Sequence, residues 1–170
     1  MQKKVNLASV LTAIVLFFLP WVQVSCQEGV VRQSGVQAIR GDVTVIKNGE
    51  AQKQPRTVEK KNDFPEPAWL ILAAFVSLCG AGALGIWSWF AKRSALDQAV
   101  VWICVGALIL VLAQSFVGFP LFTFILQATD KAAFDDELWR SYQPAFYALW
   151  VALFLPITWR IADKKFKGAG

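Results

Sequence analysis

Few residues in this 170-residue chain have the type and spacing to do chemistry, and they lie far apart. Gln114 and Ser115 are the most polar pair inside any apolar run. An amide beside a hydroxyl can hold a quinone headgroup or a pigment carbonyl, although a hydrogen bond between helices is the commoner use. Substituting Gln114 by Ala separates the two readings, because a ligand site loses its ligand and a packing site tolerates the change. Of the 3 cysteines, Cys79 and Cys104 fall inside apolar runs and Cys26 lies outside them. Disulfide exchange needs one thiol to attack and a second to resolve. A lone outer thiol therefore argues against the quinone-dependent oxidoreductases that make disulfides, and against the animal junction proteins with a cysteine pair in their first loop. For Cys26 three roles stay open: a buried structural thiol, a lipid attachment point or half of an intermolecular bond.

The missing residue types narrow the chemistry further. There is no histidine, the commonest haem and transition-metal ligand and the usual proton relay. No Asp, Glu, Lys or Arg falls deep in an apolar run, whereas ion and proton pathways depend on such residues. Small multidrug antiporters are equally compact but need a membrane-embedded Glu that this chain lacks. No acid–base pair and no nucleophile–base pair comes within reach of one another. The expectation is a protein with no enzymatic activity, no metal and no cofactor.

The elements that position these residues are apolar and long. Four stretches, about 5–24, 67–90, 95–117 and 144–161, are each able to cross a hydrocarbon core about 30 Å thick, which takes about 20 helical residues. The expected fold class is an all-α membrane protein: a four-transmembrane-helix bundle forming a single membrane domain over 1–170. Outer loops cover 25–66 and 118–143. With the N-terminus inside, Lys3, Lys4, Lys92, Arg93, Arg160, Lys164, Lys165 and Lys167 share one side with only Asp97 and Asp163. That asymmetry in the short segments predicts N-in, C-in topology. The pI near 9.3 reflects this sorting rather than a groove for phosphates, so no nucleic-acid partner is expected. Met1-Gln2-Lys3-Lys4 and the run to Cys26 have the outline of a secretory or lipoprotein leader. Of the residues before Cys26 only Ser25 suits cleavage, so a retained helix is expected.

The second span carries small residues at Ala73, Ser77, Ala81 and Gly85, a stripe that lets another helix approach closely. Another span of the same chain or another subunit would both fit it. The third span is expected to end near Gly118-Phe119-Pro120, with a kinked continuation through Leu121–Leu126. Phe134, Leu138 and Tyr142 recur at helical spacing, which predicts a short interfacial helix before the fourth span. That span is expected to carry Pro156 near its C-terminal end. Trp21, Trp69 and Trp139 are read as anchors at one interface, and Trp87, Trp89 and Trp159 at the other. In the first outer loop, Val30–Gln33, Val36–Ile39 and Val43–Lys47 look β-like, and Asn48-Gly49 favours a tight turn. Such a hairpin is unstable alone and must lean on the bundle or on a partner. The stretch 50–66 reads as an extended linker.

Phe18-Leu19-Pro20-Trp21-Val22, Val24-Ser25-Cys26, Ser34-Gly35-Val36-Gln37 and Gly41 together resemble a pattern in small bacterial four-span proteins of unknown function. The resemblance covers about 25 residues. It implies a bacterial inner (cytoplasmic) membrane protein with N-in topology and a periplasmic long loop, and it supplies no activity. The functional expectation is an accessory subunit of a larger membrane complex (respiratory, photosynthetic, secretory or transport). Its partners would be the lipid bilayer and other membrane subunits, met through the Ala73/Ser77/Ala81/Gly85 face and the Ser34–Gln37 turn. The alternative is a small carrier or quinone-binding protein built around Gln114, Ser115 and the outer loop.

Overall fold

The computed structural model describes residues 2–26, 29–47, 50–54, 67–91, 94–122 and 139–167. Helices α1 (Gln2–Leu16), α3 (Trp69–Ala91), α4 (Ser94–Val117) and α5 (Pro144–Lys167) pack together, and the short helix α2 (Gly35–Arg40) belongs to a cap at one end. Three segments are long and apolar enough to cross a membrane: Trp69–Ala91, Ala95–Phe122 and Pro144–Ala162. Together they support a membrane protein. The first apolar stretch differs from the expected 5–24 span, because α1 stops after 15 residues. Phe17, Phe18 and Leu19 close it with tightened bonds to the carbonyls of Ile14, Val15 and Leu16. Pro20 then lacks an N–H and holds Leu19 off the helical conformation.

The chain next enters a five-stranded antiparallel sheet of order β4-β3-β2-β1-β5. Its strands are β1 (Pro20–Cys26), β2 (Gly29–Ser34), β3 (Val43–Lys47), β4 (Glu50–Gln54) and β5 (Trp139–Tyr142). The fold is therefore helical with a small sheet, rather than all-α with a β-like loop. Val36–Ile39 is helix, not strand, because Ser34 and Gln37 form a capping box: Gln37 N–H donates to Ser34 Oγ at 3.2 Å and Ser34 N–H to Gln37 Oε1 at 3.0 Å. Strand β4 occupies 50–54, where a linker is expected. At the other edge, Trp139–Tyr142 pairs with β1, Val22 opposite Tyr142 and Ser25 opposite Trp139. The ladder takes these residues out of the expected interfacial helix, whose remainder (130–138) lies outside the described residues, as do the Asn48-Gly49 turn and 123–126.

Alternation along the strands gives the sheet two faces. Val22, Val24, Val31, Gln33, Val43 and Val45 share the one that joins the core, while Gln23, Arg32 and Thr44 line up across the other. The core face meets an aromatic cluster at the end of the bundle. Phe119 lies edge-on to Trp21, Phe146 and Tyr142 at centroid distances of 6.2, 5.5 and 5.9 Å, and Tyr142 stacks on Phe146 at 4.8 Å. At the opposite end a polar knot ties three helices. Asp97, in the first turn of α4, accepts from Ser88 Oγ of α3 at 2.5 Å and pairs with Lys3 of α1 at 3.9 Å. Lys3 also donates to the Ser88 carbonyl, and Asn6 Nδ2 donates to the Asp97 carbonyl.

Helix α4 ends where expected. Gly118 takes a left-handed φ of 98°, and its N–H donates to the Gln114 carbonyl. Helix α5 instead runs through Pro156 to Lys167, past the expected stop. The Thr158 hydroxyl donates to the Phe154 and Leu155 carbonyls in that turn, the kind of side-chain compensation that lets membrane helices keep a proline.

Candidate functional site

The conspicuous sequence pattern near the first outer loop works as a structural clamp. One extra residue sits in β1 opposite β2, since Pro20 faces Ser34 and Val22 already faces Gln33. A bulge of this kind re-aims a side chain, here the indole of Trp21. Trp21 is fully buried, donates its Nε1–H to the Leu16 carbonyl at 2.7 Å, and packs against Phe17. Gly35 lies under that ring. A Cβ there would come within 2.6 Å of Trp21 Cζ2 and 2.9 Å of Phe17 Cδ1. Gly41 ends α2 at a φ of 77°, and its N–H donates to the Gln37 carbonyl. The Val36 N–H reaches the Phe17 carbonyl, Ala68 N–H reaches the Ala38 carbonyl, and Gln143 N–H reaches the Trp21 carbonyl. Gly35 and Val36 thus fix the cap to the end of α1, Ala38 and Trp21 tie it to the residues that precede α3 and α5, and Ser34, Gln37 and Gly41 close the two ends of α2.

Beside that clamp, on the sheet face turned away from the core, opens a cleft of about 670 Å³. Phe18 and Pro20, at the end of α1, form one wall with Val36 and Ile46. Arg32, Arg40 and Asp42 bring charge, two guanidinium groups against one carboxylate. Arg32 is held from behind: its Nε donates to Gln23 Oε1 at 2.9 Å, and Gln23 Nε2 donates to Ser25 Oγ at 3.1 Å. Thr44 Oγ1 accepts from Gln37 Nε2 at 2.7 Å, which anchors α2 to β3 across the cleft floor. The volume suits a small molecule or one end of a larger one. Two cations near one apolar wall suit an anionic group carrying a hydrocarbon part.

The other candidates sit elsewhere. Gln114 Nε2 donates to the Gly118 carbonyl at 2.7 Å and Ser115 Oγ to the Val111 carbonyl at 2.9 Å. Both side chains serve their own helix at the end of α4. The stripe on α3 divides: Ala81 and Gly85 are buried against the bundle, Ala73 is exposed, and Ser77 donates to the Ala73 carbonyl. Four-residue steps drift about 40° each on a helix of 3.6 residues per turn, so a stripe at that spacing winds off the buried face. The face in contact holds Ile71, Ala74, Leu78, Ala81, Gly82, Gly85 and Ser88, with Gly82 and Gly85 meeting Val10, Ile14 and Leu7 of α1. Cys79 is exposed and Cys104 buried, and among the described residues no group of His, Cys, Asp or Glu is arranged to hold a metal ion. Sequence reasoning missed the cleft, since Arg32 and Arg40 belong to no motif. It also read Asp97 only as a charge on the inner side. The signal for the clamp was present, a bulky Trp21 and an obligatory small Gly35 in one conspicuous pattern. Neither models of protein families nor curated proteins match the chain.

Proposed function

We propose that the chain is an accessory subunit of a larger membrane complex, held in the bacterial inner membrane by a four-helix bundle with both termini cytoplasmic. The cap then lies on the periplasmic side and is its contact surface. The observation that carries this reading is the division of labour in the sheet. One face is consumed in packing onto the bundle, while the other presents a polar row, Gln23, Arg32 and Thr44, beside a built cleft. A cap clamped to α1, α3 and α5 is a rigid platform for recognition. Helix α1 completes the bundle by contact with α3, α4 and α5, although 15 residues make it shorter than the other three.

Purification of the native chain in a gentle detergent, with mass spectrometry of the particle, tests the reading. Stoichiometric partners at one size are expected, and they should be released by Ala51→Trp, at an exposed position on the outward face. A chain that elutes alone or only with itself, from membranes where it is at native abundance, overturns it.

A further inference from the structure

We propose that the cleft between the cap and α1 is a binding site for a membrane anionic phospholipid. Arg32 and Arg40 hold its phosphate, and Phe18 lies beneath its first acyl carbons. Depth is the first argument. From Lys4 to Phe18 an α-helix rises about 21 Å, less than the roughly 30 Å of a hydrocarbon core. With Lys4 at one boundary, Phe18 stops about 9 Å short of the other, at the level of the acyl chains, and the cleft opens above it toward the headgroups. Continuity is the second. Leu11, Val15, Phe18 and Leu19 are exposed on one side of α1, and Phe18 is both the top of that stripe and a wall of the cleft. An acyl chain along the stripe leads its own phosphate into the cleft.

Charge is the third argument. Arg32 is half-buried and fixed through Nε by Gln23, so its remaining donors are pre-oriented for a phosphate. Arg40 is exposed on α2, and neither arginine forms an ion pair among the described residues. Two cations against Asp42 favour an anionic headgroup over a zwitterionic one. The inference needs only that the helices lie in a bilayer, so it stands apart from the subunit reading.

The test is native mass spectrometry of the purified chain titrated with dioleoylphosphatidylglycerol. Dioleoylglycerol, dioleoylphosphatidylcholine and inorganic phosphate serve as controls. One phosphatidylglycerol per chain is expected, with dioleoylglycerol not retained and inorganic phosphate unable to displace the lipid. Arg40→Gln and Arg32→Gln should each weaken binding about tenfold, the loss of one charge-assisted hydrogen bond. Arg40 is exposed, so Arg40→Gln keeps the fold even where Arg32→Gln, which also loses Gln23, does not. Undiminished binding to a folded Arg40→Gln variant overturns the proposal. So does displacement by inorganic phosphate at concentrations comparable with the lipid, or equal retention of phosphatidylcholine. Partners that co-purify from native membranes bear on the subunit reading alone, and lipid binding by the purified chain bears on this one alone, so the failure of either is distinguishable.

Discussion

Gly35 and Trp21 form a lock of one bulky and one absent side chain. Because a Cβ at position 35 would overlap the indole at 2.6 Å and Phe17 at 2.9 Å, and neither ring is at the end of a flexible chain, the backbone must shift. Gly35→Ala should lower stability by about 1–3 kcal/mol, the usual cost of overpacking, measured as thermal unfolding in detergent. Tyr142 gives a pH signature for the same region. Burial, and then the neighbouring Tyr147, push its hydroxyl above the ordinary value of 10.0. The folded protein therefore holds that proton more tightly than the unfolded chain does. Its contribution to stability is complete below about pH 10 and is lost as pH rises through the raised value. With 2 tyrosines in the chain, ultraviolet titration should resolve one late step that Tyr142→Phe removes.

Helix α3 shows why spacing alone misassigns a packing face. Gly82 lies against Val10 and Ile14 of α1, whereas Ala73 is on the exposed side. Gly82→Leu should cost about 1–3 kcal/mol, and Ala73→Leu should stay within about 0.5 kcal/mol of the parent in the same detergent melt. The same contrast applies at the helix ends. Asp97 serves α1, α3 and α4 at once, and Ser88 beneath it is fully buried. Asp97→Ala leaves the Ser88 hydroxyl without its acceptor and Lys3 without its counter-charge. A loss of about 1–3 kcal/mol is expected, with α1 separating first, as hydrogen exchange of α1 amides would report.

For the whole molecule, the sheet and the polar knot lie at opposite ends of the bundle, because Lys3 and Asn6 of α1 bond to Ser88 and Asp97 while Phe17 and Trp21 enter the cap. With the bundle crossing the bilayer as proposed, Thr44 and Lys4 fall on different sides whichever way the cap faces. Under N-in topology, with Cys26, Cys79 and Cys104 replaced by Ser, a membrane-impermeant maleimide should label Thr44→Cys from the periplasm and leave Lys4→Cys unlabelled until the membrane is opened. Labelling of Lys4→Cys alone would invert the orientation.

Much of this architecture is legible locally. The lengths of the apolar runs at 69–91, 95–122 and 144–162 mark three helices able to cross a membrane, because backbone polar groups in lipid must be satisfied within the segment. Gly118 and Pro120 mark the end of α4 by their own backbone limits, and Ser34 with Gln37 encodes a capping box four residues long. The residues carrying the conspicuous pattern in the first outer loop are likewise the ones that clamp the cap. What no local pattern carries is pairing. Val22 to Val24 read as the last turn of a helix, and Trp139 to Tyr142 as part of another, yet the two pair across more than a hundred residues of sequence. Pairing with β2 makes a strand of the first and brings the end of α1 beside Arg32, while the distant contact with β1 makes a strand of the second and completes the sheet. Span length and turn chemistry are properties of a segment, so the sequence alone determined them. Strand partners and the cleft depend on which distant segments meet, and the tertiary structure decided those.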